Sequence, residues 1–327
     1  MKPIQPEPQD WRELLGKIIS DPAEKQRIAQ ELGVRTITLT RWVSRESDPR
    51  PQNLRRLLNV LPEHRELLLE LISEEFEDFS AGVLEDSSKD IPSEFYTRVF
   101  SARASINESL RFWSICTLIL QQALGQLDPD RLGMAITVVR CMPPFNGGKI
   151  RCLRESVGQG TPPWSGDLEQ QGMLLGAESL AGYVVTTCRP AAIQNIPQDR
   201  SPLPAHQAAF EVSAAAHPIL FTGRLAGCLL ISSTQPNYFL SPARLSLIQS
   251  YADLVALAFE SEDFYESQDI ELQMMPSHEV QKNYFANFRQ RVTQVMKEHP
   301  AHNLQAEQMV WQQLEEELLQ LTPPVEV

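Results

Sequence analysis

Between Gly33 and Arg65 the chain carries hydroxyl and guanidinium side chains at positions where they could read a polyanion. A short apolar stripe of Leu39, Trp42 and Val43 leaves Thr36, Thr40, Arg41 and Arg45 for the outer face of a helix. Arginine can bond a base edge or a phosphate through two parallel N–H donors, and a threonine hydroxyl can donate or accept, so the chemistry is recognition of a DNA major groove. Arg55 and Arg56 follow on a further helix and suit phosphate contacts. Catalytic chemistry has no comparable signal. The five cysteines (Cys116, Cys141, Cys152, Cys188, Cys228) are dispersed, mostly among apolar neighbours, and no pair has metal-ligand spacing. Cys141 and Cys152 could face each other across a hairpin. No catalytic residue and no metal is expected.

Those side chains need rigid short helices behind them. Ile28, Ala29 and Leu32 make one stripe at helical spacing, Gly33 marks a turn, and a third helix follows the prolines at 49 and 51. Helices this short are not stable alone and must pack on one another. Asp10 before Trp11-Arg12-Glu13, and Asp21-Pro22-Ala23-Glu24, are two helix starts with a capping aspartate. The first helix turns Trp11, Leu14, Leu15, Ile18 and Ile19 inward. A last one opens at Pro62, carries Leu67, Leu68, Leu71, Ile72, Phe76 and Phe79, and ends near Ser80-Ala81-Gly82. This predicts an all-helical unit of about five helices over 1–80.

The segment resembles the helix-turn-helix of the phage-repressor (Cro/C1, or XRE) family. The matching residues are Ile28-Ala29, Leu32-Gly33-Val34, Thr38, Arg41-Trp42, Pro51, Asn53-Leu54, Leu57 and Leu61. The resemblance implies double-stranded DNA as a partner, with Arg35, Thr36, Thr38, Thr40, Arg41, Arg45, Arg55 and Arg56 as the DNA-binding set. Arg35 departs from the small polar cap that the family prefers, so Thr36 is expected to cap the reading helix.

Residues Glu85 to Ser93 are polar, charged and proline-containing, which makes 81–92 the expected linker. One long helix is expected over Ser93–Leu127. From Met134 the period becomes that of strands: Met134–Val139 and Lys149–Glu155 form a hairpin about Asn146-Gly147-Gly148. A loop rich in glycine and proline then runs from Gly158 to Gly166. Further on come a helix over Glu178–Thr186, a strand over Ala191–Gln194, an irregular stretch to His206, a second hairpin about Thr222-Gly223, and a helix from Ser241-Pro242 to Phe259. Ser179-Leu180-Ala181-Gly182-Tyr183 through Arg189-Pro190, with Leu225-Ala226-Gly227, is similar to the GAF family over 93–262. The resemblance implies an antiparallel sheet with helices on one face and loops over the other, where a small molecule binds. Arg154, Trp164, Tyr183, Asn195, Asp199 and His206 are the candidate ligand-binding residues there, and the cofactor is unknown.

Beyond Glu262 a helix from Pro276-Ser277-His278-Glu279 and another after His299-Pro300 are expected. The second places Leu304, Trp311, Leu314, Leu318 and Leu321 on one stripe, with Glu315, Glu316 and Glu317 outside. Residues 263–327 are either a helical hairpin on the body of the protein or an oligomerisation element. The net charge of −13 argues against indiscriminate coating of nucleic acid. Between Lys25 and Arg65, however, nine basic residues outnumber four acidic ones. No signal peptide or membrane-spanning run is found, which predicts a cytoplasmic protein without a membrane partner. The chain reads as α+β. It is expected to be a homodimeric, ligand-sensing DNA-binding regulator and not an enzyme. The alternative is a DNA-targeting or protein-interaction scaffold whose GAF-like part binds no ligand.

Overall fold

The computed structural model describes residues 8, 10–76, 90–144, 147–168, 172–197, 210–298 and 303–321. Phe79, residues 81–89 of the expected linker, Asn146, Asp199 and His206 lie outside them.

The amino-terminal part is helical throughout: α1 (Trp11–Ile18), α2 (Pro22–Leu32), α3 (Thr36–Val43), α4 (Pro51–Val60) and α5 (Arg65–Glu75). Asp10 accepts the Glu13 N–H at 2.7 Å and Asp21 accepts that of Ala23 at 2.8 Å, satisfying amides that a helix start leaves open. α2 stops because Gly33 takes a left-handed φ of 68°, and the Val34 N–H closes back on the Ala29 carbonyl at 2.9 Å. The expected cap of α3 is corrected here. Arg35 holds the cap position without a side-chain bond, and Thr36 is already the first helical residue. Trp11, Leu15, Ile28, Leu32, Leu39, Trp42, Leu57, Leu68 and Ile72 share one core. Each large side chain sealed there contributes roughly 1.5–3 kcal/mol. Arg12, only 3% exposed, joins three helices: it donates to the Trp42 carbonyl at 2.6 Å, to Asp48 at 2.7 Å and to Glu75 at 2.8 Å. Trp11 Nε1 donates to the same Glu75.

The expected single helix over Ser93–Leu127 is two, α6 (Ser93–Ser105) and α7 (Glu108–Leu127). Ile106 is extended, and the Asn107 side chain caps the restart by accepting the Ser109 N–H. Six antiparallel strands follow in the order β3-β2-β1-β6-β5-β4. They are β1 (Met134–Cys141), β2 (Leu153–Gly160), β3 (Leu174–Leu175), β4 (Ala191–Ile193), β5 (Ser213–Phe221) and β6 (Arg224–Ser233). The first hairpin's return strand thus starts four residues later than Lys149, and Gly158 and Gly160 lie in it rather than in a loop. Alternation sends Met134, Ile136 and Val138 to one face, against α6, α7 and α9 (Pro242–Val255). Ala135, Thr137, Val139 and Cys141 point to the other face, where α8 (Leu180–Thr187) packs.

The carboxy-terminal part is stitched to the β3 edge of this sheet. Gln281 bonds both polar groups of Leu174, its Nε2 donating to the carbonyl at 2.8 Å and its Oε1 accepting the N–H at 2.9 Å. The expected helix from Ser277 onward breaks into α10 (His278–Phe285) and α11 (Phe288–Glu298), followed by α12 (Asn303–Leu319). Leu318 reaches Met142, Cys152 and Leu174, so α12 packs on the chain's own body. Glu315 does not face outward as expected: it is 2% exposed, ion-paired with Arg151 at 3.0 Å and approached by Cys152 Sγ at 3.4 Å. Cys141 sits opposite Leu153 rather than Cys152. No described helix is long and apolar enough to cross a membrane.

Candidate functional site

A cavity of about 210 Å³ lies between the open face of the sheet and α8. Its floor comes from Ala135 and Thr137 of β1, Glu155 of β2, Ala214 of β5, and Leu230 and Ser232 of β6. Ser179, Leu180 and Ala181 form one wall, and Pro163, Trp164, Ser165 and Leu168 cover it. The cover folds close because β2 carries glycine beneath it. A Cβ on Gly160 would come within 2.7 Å of the Trp164 Cβ, and one on Gly158 within 3.0 Å of the Leu168 Cβ. Trp164 meets Phe210 edge to face at a centroid distance of 6.3 Å, closing one end. The α8 wall is held by Ser179, whose hydroxyl accepts the Gly182 N–H at 2.9 Å.

Two carboxylates face this space. Glu155 Oε2 accepts the Met173 N–H at 3.3 Å. Glu211, buried, accepts the Ser232 hydroxyl at 2.5 Å. Burial, reinforced by the negative charge of Glu211 and only partly offset by the Met173 N–H, pushes the Glu155 carboxyl up to about 7. Burial likewise raises the thiols of Cys116 and Cys228, and lifts that of Cys141 to about 12. Among the described residues lining the cavity none is a cysteine.

Of the ligand candidates named from the sequence, Trp164 lines the cavity. Tyr183 is exposed on the outer side of α8, and Asn195 is half-buried outside the lining. Arg154 points the other way along β2, with its guanidinium 4.8 Å from the Trp311 ring centre. Asp199 and His206 are outside the described residues. Sequence reasoning missed Glu155 and Glu211. Alternation along β2 was the one signal available for Glu155, since it sets that residue on the opposite face from Arg154.

The outer face of α3 is a second candidate surface. Arg35, Thr36 and Arg41 are exposed, and the Arg41 side chain is 59% accessible beside Glu46. Thr38 and Thr40 are half-buried, the Thr40 hydroxyl turning back to the Thr36 carbonyl at 3.3 Å. Ile37, 53% exposed, sits among them. Arg45 reaches Asp10 at 2.5 Å. The two arginines of α4 are placed differently from Arg41. Arg55 is ion-paired with Asp130, between α7 and β1. Arg56 is half-buried, with one nitrogen 3.4 Å from the Leu32 carbonyl, and burial lowers its pKa.

Comparison with known proteins identifies the central part of the chain. Residues 113–260 match the GAF domain, and that part of the chain is a GAF domain. A comparison with curated proteins gives no match. Similar solved structures include the GAF domain of an Acinetobacter phosphoenolpyruvate-protein phosphotransferase (15% identity, 52% of this chain and 93% of that one, TM-score 0.35). A type II free methionine-R-sulfoxide reductase from Thermoplasma acidophilum is similar at 15% identity, over 49% of this chain and 98% of that one, with a TM-score of 0.34. A GAF sensor protein from Burkholderia vietnamiensis is similar at 18% identity, over 50% of this chain and 90% of that one, with a TM-score of 0.31. At such scores none of the three says what this chain binds.

Proposed function

We propose that this chain is a cytoplasmic, homodimeric DNA-binding regulator: a helix-turn-helix head over 1–80, a GAF sensor over 93–262 and a helical tail over 263–327. Ligand in the cavity changes how the head is presented to double-stranded DNA. The observation that carries the DNA reading is the division of α3. Leu39 and Trp42 are locked in the core while Arg35, Thr36, Ile37 and Arg41 stand on the surface after a tight left-handed turn. A short helix presented that way offers a donor fork, a hydroxyl and an apolar group to base edges. Dimerisation supplies the second half-site. A ligand that prefers one head placement by about 1–3 kcal/mol is enough to switch occupancy.

Mobility shift of the full chain against a pool of genomic fragments, in excess random duplex, tests the reading. A few fragments retarded at low protein concentration support it. Uniform weak retardation of all fragments, or none, contradicts it.

One observation favours a second reading. Ile37 is an exposed aliphatic side chain in the middle of the face, and such a residue also suits docking to a protein. In that case Ile37→Ser abolishes capture of a protein partner, whereas Arg41→Ala has little effect on it.

A further inference from the structure

The base of the cavity cover and the turn that meets the head share one buried carboxylate. Thr161, where β2 ends and the cover begins, is 2% exposed, and its carbonyl accepts the Trp164 N–H at 3.0 Å. Its hydroxyl accepts the Met134 N–H at 2.9 Å and donates to Asp128, which is 6% exposed. Asp128 also accepts the N–H groups of Leu132 at 2.7 Å and Gly133 at 3.2 Å, so it fixes the course of the α7–β1 turn. A second contact joins the same two segments: a Cβ on Gly133, whose φ is 116°, would come within 3.2 Å of the Pro162 carbonyl. Asp130, in the same turn, carries the ion pair with Arg55 of α4. Hydrogen bonds to a buried charged group are among the stronger ones, and losing one leaves the carboxylate short of a donor.

We propose that these contacts form an autoinhibitory latch: a cover seated on Thr161 holds Asp128, Asp128 holds the turn, and the turn presents Asp130 to Arg55, so that a phosphate contact at Arg55 is opposed until the cover moves. This rests on the reading of the head as DNA-binding and of the cavity as the sensor's site. The links are direct: Trp164 to Thr161, Thr161 to Asp128, Asp128 along the chain to Asp130, and Asp130 to Arg55. Two arrangements compete at the far end, since the Arg55 guanidinium bonds either Asp130 or a phosphate. A molecule that enters beneath Trp164 shifts the cover, draws Thr161 away from Asp128 and favours the second arrangement. Linkage makes the effect reciprocal, so a duplex that takes Arg55 loosens the cover.

The test uses the full chain in four forms: unaltered, Asp130→Asn, Thr161→Val and the double variant. Affinity for a random-sequence duplex is read by fluorescence anisotropy, and deuterium exchange is followed over the cover. Both single variants are expected to bind about five-fold more tightly than the unaltered chain, and the double variant no more tightly than either, because one latch is released only once. Asp130→Asn is also expected to speed exchange of the Trp164 amide, whose bond to Thr161 marks the seated cover. Affinity unchanged by Thr161→Val, or effects of the two substitutions that multiply, overturns the latch and leaves the DNA-binding head standing. Unchanged exchange in Asp130→Asn does the same. That measurement needs no substitution in the buried site, so a Thr161→Val chain that does not fold leaves the test intact. No duplex binding by any of the four forms overturns the reading of the head itself, and the latch with it.

Discussion

Arg55 on α4 of the helical head is ion-paired with Asp130, in the turn that leads from α7 of the GAF domain into β1. Asp128, two residues earlier in the same turn, acts on the neighbouring Arg56 through its charge. The α7–β1 turn therefore holds the side of the head that carries Arg55 and Arg56, the two residues proposed to contact phosphate. The Asp130 carboxylate offsets the Arg55 charge and takes one of its nitrogens, which opposes a phosphate contact there.

Asp130→Asn is accordingly expected to raise the affinity of the head for duplex DNA of any sequence and to steepen its salt dependence by about one unit of slope, as one more guanidinium becomes free for a phosphate. Both partners are about one-third exposed, so the effect on folding stability should stay below about 1 kcal/mol. Mobility shift at several salt concentrations, beside a melting curve, measures the two effects. Unchanged affinity and slope would mean that Arg55 takes no part in DNA contact.

Glu155 sets a pH dependence. Its folded carboxyl titrates near 7 against an ordinary value of 4.5, so between those limits the folded state binds more protons than the unfolded one. Stability therefore falls as pH rises from about 4.5 to 7, and it is flat in this respect outside that window. The accumulated cost is on the order of 3 kcal/mol. Glu155→Gln should flatten this part of the profile and raise stability at pH 8. Urea unfolding at a series of pH values checks it, and an unaltered slope in the variant would refute it.

Arg12 is the buried polar centre of the head, bridging α1 to Trp42, Asp48 and Glu75. Its loss leaves the Trp42 carbonyl and Glu75 short of a donor. Arg12→Ala should cost about 2–4 kcal/mol, and Arg12→Lys nearly as much because one ammonium cannot span three acceptors. Denaturant unfolding followed through tryptophan fluorescence reads it. A loss under about 1 kcal/mol would show that the bridge is ornamental to the fold.

Much of the helical head was readable in the residues, because its signals are local: Asp10 and Asp21 cap helices, Gly33 supplies the left-handed turn, and the Leu39 and Trp42 stripe sets the inner face. The α6–α7 break was not, since Ile106 reads as one more apolar helical residue and the Asn107 cap gives a weak signal inside an apolar run. Gly158 and Gly160 read as loop for a physical reason: they are strand residues kept small by the cover that folds over them. Glu155 and Glu211 were invisible because in a chain of net charge −13 a carboxylate looks solvated. Only the pleat and the long-range pairing of β2 with β1 turn Glu155 into a cavity. Burial of Glu315 has the same origin, since Arg151 and Cys152, its partners, lie more than a hundred residues away.

The claim on which the regulator reading rests is that the exposed side of α3 reads bases. Selection of duplexes from a random pool by the unaltered full chain and by the Arg41→Ala variant measures it directly. The account predicts one enriched motif for the unaltered chain, and for the variant a loss of preference at one or two base pairs worth about 1–3 kcal/mol, with binding to unrelated duplex nearly unchanged. The same motif recovered with both proteins, or no motif with either, would contradict it.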